Sequence, residues 1–354
     1  MLFEIFTSFL ISFFVGLILV IWTKKIFYSY QLLDKPKKYR KKRDPIPYGI
    51  GIIFFLCFSL CSFLLIDPNM KLFLLWWFGA IITFLSFIDD RVQVSPKIRL
   101  GVQIIIWATI ALTSIKIGYI SGLFWGIIEL ESYFLQVWSY TWYIIPFFFT
   151  IIWYVFVFNA LNWSDGIAWN TSGLSIISFF ILFLLWVKLY MSDTYAWWIE
   201  NAEFIMKVCV ILLGALLPFW FFDVREKVLM WDSGTMFLGF MLASMAIIAG
   251  GKIATVLVVF WLYSVDAMYV ILKRLQAKKN PLSWDFTHFH HRLEKVWVQK
   301  KEFLVLVYSL SLIFWILSLF ANKFGKIFLF ACIVFLVLFL WNIFIYLKQK
   351  KWSK

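Results

Sequence analysis

Long apolar runs, each about 20 residues and parted by short polar stretches, fill most of this chain and constrain its fold more than any other feature. As a helix, a run of that length spans the roughly 30 Å hydrocarbon core of a bilayer. The chain is 63% hydrophobic over 354 residues, against roughly 45–50% in a soluble domain. About eleven spans result, at 2–23, 48–66, 71–88, 99–117, 141–158, 172–190, 203–221, 235–250, 253–272, 303–321 and 325–346. The expected fold is all-α: a polytopic integral membrane helical bundle of about 10–11 transmembrane helices. It forms a single domain over 1–354, because no soluble block interrupts the pattern. The first run lacks a basic leader and a small-residue cleavage site, so it reads as a retained span. Pro146 and Pro218 fall in or near spans and are expected to kink them.

The net charge is +14. In a soluble protein that would suggest nucleic acid; here the positive-inside rule accounts for it, and no nucleic-acid partner is called for. An odd number of spans puts the termini on opposite sides. Roughly 26 of the 33 Lys and Arg then fall in one set of connections, which reads as cytoplasmic, with the N-terminus outside. That set holds 24–47, 89–98, 159–171, 222–234, 273–302 and the tail. The basic loop "TKKIFYSYQLLDKPKKYRKKRDPIPYG" reads as a topology anchor drawn to anionic headgroups. The aromatic stretch 118–140 is expected to lie on the outer membrane surface. Cys57, Cys61, Cys209 and Cys332 all sit inside apolar runs and show no metal or redox spacing.

Carboxylates occur where they are expensive. "SFIDDRVQVSPKIRL" ends the third span with Asp89 and Asp90, and "NALNWSDG" ends the fifth with Asn159, Asn162 and Asp165. "LMWDSGTMFLGF" opens the eighth with Asp232, and Asp266 lies inside the ninth. "SWDFTHFHHRL" places Asp285 and all three histidines, His288, His290 and His291, in the last large cytoplasmic loop. Any one Asp at a membrane boundary can be a cap or a turn residue. Several clusters from distant parts of the chain reaching one surface make a site. Converging Asp and Asn oxygens suit a hard cation, Mg²⁺ or Mn²⁺, that in turn holds a phosphate. Arg91, Lys97, Arg99, Arg274 and Arg292 supply cations for phosphate oxygens. Zinc on the histidines is disfavoured: His290 and His291 are neighbours, which point about 100° apart on a helix, and no Cys is near.

These motifs, in this order from about residue 34 to 293, resemble the polyprenyl-phosphate N-acetylhexosamine-1-phosphate transferases. "DKPKKYRKKRDPIPYGIG" is similar to the family's first basic loop, "FIDDRVQVSPKIRLGVQ" to its Asp-Asp motif with a following cation and Gln, here Arg99 and Gln103. "NALNWSDG" is similar to its Asn-x-x-Asn-x-x-Asp-Gly motif, and "HFHHRL" to its His-x-His-His-Arg-Leu motif. The last of these resembles the N-acetylglucosamine branch rather than the phospho-N-acetylmuramoyl-pentapeptide branch of peptidoglycan synthesis, which remains the alternative.

The resemblance implies an enzyme that transfers a sugar-1-phosphate, N-acetylglucosamine-1-phosphate by the histidine motif, from a UDP-sugar to polyprenyl (undecaprenyl) phosphate, releasing UMP. It implies a catalytic group of Asp89, Asp90, Asp165, His290 and His291, and substrate contacts from Asn159, Asn162, Gly166, Arg99, His288 and Arg292. Asp232, with Asn162, would hold Mg²⁺ or Mn²⁺. The setting implied is the cytoplasmic membrane, and a homodimer is compatible with the sequence.

The chain also departs from the family. The usual Asp-Gly-x-Asp-Gly reads Asp165-Gly166-Ile167-Ala168-Trp169, the Gly before the metal aspartate is Trp231, and the usual Ser after it is Thr235. These changes put donor choice in question, and leave an inactive or repurposed member as a further reading. A lipid transporter is the reading from another class. It is disfavoured because transporter sites lie near the midplane, whereas only Asp266 does so here.

Overall fold

The structure, a computed structural model, describes residues 1–36, 43–92, 94–121, 127–138, 140–166, 168–192, 196–249, 257, 261–278, 300–321 and 323–352. Eleven helices run through them: α1 (Leu2–Ser29), α2 (Ile52–Leu65), α3 (Met70–Val92), α4 (Pro96–Ala111), α5 (Ile144–Ser164), α6 (Asn170–Ser192), α7 (Ala196–Val224), α8 (Trp231–Ile248), α9 (Trp261–Gln276), α10 (Lys300–Phe320) and α11 (Lys323–Trp352). Each expected span has its helix. The ninth is described from Trp261 on, and residues 253–256 and 258–260 lie outside the described ones. Six of the helices, α1, α3, α5, α6, α7 and α8, are long and apolar enough to cross a membrane, and α2 is a shorter apolar helix. The molecule is a polytopic helical membrane protein.

The helices are patterned for a bilayer. The face of α1 that meets protein carries Ser8, Ser12, Gly16, Val20 and Thr23, while Phe3, Phe6, Phe14, Ile18 and Trp22 are exposed. Lipid is as apolar as leucine, so burial of bulky side chains does not drive helices together there; close packing of small residues and interhelical hydrogen bonds do. The hydroxyl of Ser12 accordingly reaches the Val210 carbonyl of α7 at 3.4 Å. An exposed apolar surface of this extent is stable only in lipid.

α8 is the axis. Residues from Ser233 to Ile247 are all buried, and α2, α3, α5, α6 and α7 pack around it. An aromatic stack ties in α4 and α5: Trp107 lies parallel to Tyr154 at 4.7 Å and edge-on to Phe158 at 4.8 Å. The Tyr154 hydroxyl and Ser244 Oγ are 2.7 Å apart, and Trp153 Nε1 donates to the Ala243 carbonyl at 3.2 Å. Pro146 falls in the first turn of α5, where its missing N–H costs no helical bond, so it opens that helix instead of kinking it. Pro218 lies inside α7.

The aromatic stretch between α4 and α5 carries β-structure that the sequence reading lacked. Strands β1 (Tyr119–Ser121) and β2 (Ile127–Glu129) pair antiparallel, as do β3 (Phe134–Val137) and β4 (Tyr140–Tyr143). Their aromatic and β-branched residues favour extended backbone once the strands pair. Lys116 anchors this unit, 3.4 Å from Glu131 and 3.6 Å above the Tyr143 ring.

At the opposite end of the bundle the chain before α2 runs beside the chain before α8. Ile50 and Gly51 N–H groups donate to the Leu229 and Met230 carbonyls at 3.2 and 3.3 Å, and Leu229 N–H donates to the Pro47 carbonyl at 3.0 Å. This close approach needs glycine: a Cβ on Gly51 would lie 2.2 Å from the Gly234 Cα. Gly51→Val is therefore expected to lower the unfolding midpoint in detergent sharply. Gly101→Ala, whose Cβ meets nothing within 4 Å, is expected to leave the midpoint unchanged or raise it; equal midpoints for the two variants would contradict this packing.

Candidate functional site

The site lies where α3, α5 and α7 end and α4, α6 and α8 begin, so six helix termini meet at one end of the bundle. Asp89 and Asp90 occupy the last turn of α3 and, being consecutive, point different ways. Asp89 Oδ1 accepts from the Val94 N–H at 2.7 Å and so shapes the turn into α4. Ser95 caps α4, its hydroxyl accepting from Ile98 N–H, and Pro96 begins the helix. That sets Arg99 in the first turn of α4, where it pairs with Asp89 at 3.2 Å and with Asp232 at 2.9 Å.

Asp232, in the first turn of α8, is the node. Its Oδ2 accepts from Arg99 and its Oδ1 from Asn162 Nδ2 at 2.8 Å. The Asn162 amide also donates to Thr235 Oγ1 at 3.0 Å, so the Thr that stands in place of the family's Ser has a partner in the site. The side chains stay within reach of solvent, 26% exposed at Asp232 and 31% at Arg99. Asp90 is turned the other way and buried. Its Oδ1 accepts from Asp232 N–H at 3.0 Å and its Oδ2 from Ser233 N–H at 3.1 Å. Asp90 thus caps α8 from another helix, satisfying two of the N–H groups that a helix start leaves open.

Asp165 follows α5 as its C-cap. Burial raises its carboxyl well above the usual carboxylate range, and the negative charges of Asp223 and Asp232 add to this. Asp223, near the end of α7, was not singled out in the sequence, yet it is buried here. It accepts from Trp169 N–H at 2.9 Å and from Ser172 Oγ at 2.6 Å, holding the turn between Asp165 and α6. The signal available was the one that marked the other clusters, an acidic residue closing an apolar span.

The structure brings together Asp89, Asp90, Arg99, Asn162, Asp165 and Asp232. Asn159 is not joined to them through its amide nitrogen, which donates to the Val155 carbonyl of its own helix at 2.8 Å. Gly166 lies beside Asp165, partly buried. The Arg274 guanidinium stands over the Trp163 ring, 5.7 Å from its centre, and so reaches the end of α5. His288, His290, His291 and Arg292 lie outside the described residues.

Two tryptophans at the site adopt a backbone that favours glycine: Trp169 at φ 60° and Trp231 at φ 55°. These are the positions read above as departures from the motif, and at each a left-handed non-glycine residue costs roughly 1–3 kcal/mol unless its surroundings hold it. Trp169 is held through its N–H by Asp223, and through its carbonyl by the Tyr308 hydroxyl.

Chemically, the cluster offers several carboxylates with one guanidinium shared between two of them. Among the described residues no three carboxylate, thiol or imidazole groups lie close enough to enclose a metal ion.

A family model described as "Glycosyl transferase family 4" matches residues 72–250, the stretch that holds Asp89, Asp90, Arg99, Asn162, Asp165 and Asp232. The chain is similar to the "Undecaprenyl-phosphate alpha-N-acetylglucosaminyl 1-phosphate transferase" of Salmonella typhi, 25% identical over 308 residues covering 82% of this chain and 76% of the relative. It is likewise similar to the protein of that name in Escherichia coli (strain K12), 24% identical over 309 residues covering 81% and 75%. The "Probable undecaprenyl-phosphate N-acetylglucosaminyl 1-phosphate transferase" of Bacillus subtilis (strain 168) is 23% identical over 346 residues, 95% of this chain and 89% of the relative. The chain belongs to glycosyl transferase family 4 and is an enzyme of the sugar-1-phosphate transferase kind.

Proposed function

We propose that this protein transfers N-acetylglucosamine-1-phosphate from UDP-N-acetylglucosamine to undecaprenyl phosphate in the cytoplasmic membrane, releasing UMP. The observation that carries the reading is the Asp232 node. A carboxylate shared by Arg99 and Asn162 sits at the end of the bundle that the positive-inside rule assigns to the cytoplasm. There a lipid phosphate held in the membrane and a nucleotide from water can meet. The names of the relatives above support undecaprenyl phosphate and the N-acetylglucosaminyl 1-phosphate group.

In this reading an oxygen of the lipid phosphate attacks the phosphorus that bears the sugar. The bond from that phosphorus to the bridging oxygen breaks, and UMP leaves with the bridging oxygen. Asp232, with Asn162, would hold Mg²⁺ against the donor diphosphate, where the cation would neutralise charge on the leaving phosphate. Arg99 lies beside Asp232 to contact phosphate oxygens. Asp89 orients Arg99 and the α3–α4 turn, and Asp90 fixes the start of α8. Asp165 and Gly166 line the nucleotide side. Lipid phosphate needs little help from a base: a phosphate monoester has its second pKa near about 6, so at neutral pH the attacking oxygen is already largely ionised.

The test is UMP release by purified protein in detergent, with undecaprenyl phosphate, Mg²⁺ and a panel of UDP-sugars. Metal-dependent release with UDP-N-acetylglucosamine is expected, and release with a different sugar alone would replace the donor named here. Asp232→Asn is expected to abolish release. Asn162→Ala is expected to lower it about 10–100-fold while raising the Mg²⁺ concentration for half-activity; an unchanged Mg²⁺ requirement would remove Asn162 from the metal's surroundings. Asp89→Asn is expected to cost the same factor at every pH from about 6 to 9. A loss that disappears at the alkaline end would instead make Asp89 a general base.

A further inference from the structure

Trp231 is bulky, adopts a left-handed backbone, and immediately precedes Asp232. Something must hold it there, because the ordinary backbone available to any tryptophan would turn the following N–H groups away from Asp90. The structure shows what does. The Trp231 ring packs on the Tyr48 ring with centroids 4.3 Å apart. The Arg91 guanidinium covers the Tyr48 ring at 4.3 Å, and is itself bounded by Phe87 at 4.6 Å and Phe27 at 5.3 Å. Both terminal nitrogens of Arg91 are buried, and among the described residues neither meets a hydrogen-bond acceptor. A guanidinium beside Asp90 that forms no ion pair with it, and stacks among aromatic rings instead, serves as a planar cationic layer. Gly49, at φ 72°, leaves the room: a Cβ there would stand 3.3 Å from Asp90 Oδ2 and 3.6 Å from Arg91 Nη2. Ser233 Oγ donates to the Gly49 carbonyl at 3.3 Å, so the same loop is also fastened to α8.

We propose that Tyr48 and Arg91 are positioning residues for the reaction. Stacked under Trp231, they hold a tryptophan where the backbone favours glycine, and through it set the direction of the Asp232 carboxylate. The stack links the end of α1, the loop before α2, the end of α3 and the start of α8. It replaces, with side-chain packing, the conformational freedom a glycine would have given.

The proposal makes the need for the stack conditional on the tryptophan. Tyr48→Ala and Arg91→Met are compared, each alone and each combined with Trp231→Gly. In the otherwise native chain both are expected to lower kcat for UMP release on the order of 10–100-fold. KM for UDP-N-acetylglucosamine is expected to hold within about twofold, since the donor's own contacts are untouched. Tyr48→Phe, which keeps the ring, is expected to restore kcat. In the Trp231→Gly background neither Tyr48→Ala nor Arg91→Met costs anything further. The unfolding midpoint in detergent is expected to show the same non-additivity. Equal costs in the two backgrounds, or no cost in the native one, would overturn the proposal. The kinetic arm rests on the transferase reading given above, whereas the midpoint does not. If the native protein released UMP from no donor, that reading would fail and the stack would still be judged by the midpoints.

Discussion

The carboxylate of Asp90 fastens the start of α8, and the site depends on that bond. Its two oxygens take the N–H groups of Asp232 and Ser233. α8 is the helix around which five others pack, so the pair of bonds locks the bundle's axis to α3 at the membrane edge. A helix start in a membrane leaves open N–H groups that lipid cannot satisfy. Meeting them with a carboxyl side chain from a neighbouring helix places that helix in depth and in rotation together. Asp232, immediately after, inherits its direction.

Around that fixed point the polar groups divide their work. Asp90 and Asp223 serve backbone: Asp90 accepts from the two N–H groups that follow the left-handed Trp231, and Asp223 from the N–H of the left-handed Trp169 itself. Asp89 serves both backbone and Arg99. Asp232 is left to face the substrate side with Arg99 and Asn162. In phosphoryl transfer most of the protein's contribution is positioning and charge. A site whose carboxylates mainly hold other groups in place suits that chemistry better than one built to move protons. Burial, with the charges of Asp223 and Asp232 added to it, keeps Asp165 above the usual carboxylate range.

Much of this was legible in the chain. The apolar runs gave the helices because a bilayer permits few other ways to satisfy a backbone. The acidic motifs marked the site because charge at a membrane edge is costly. Three things were not legible. The strands between α4 and α5 depend on pairing with one another, which an aromatic-rich stretch does not announce. Asp223 acquires meaning only by reaching Trp169 from α7. Trp231 and Trp169 read as losses from a motif. Only the backbone angles show that the glycine conformation persisted, and only the Tyr48 and Arg91 stack shows one way it is held.

The central claim is that the bond broken lies between the two phosphates of the donor. It is tested most directly with UDP-N-acetylglucosamine carrying labelled phosphorus at the position that bears the sugar. After reaction with undecaprenyl phosphate, the account predicts the label in the lipid product and none in the released nucleotide, which is UMP. Label recovered in UDP, with the sugar alone on the lipid, would contradict it.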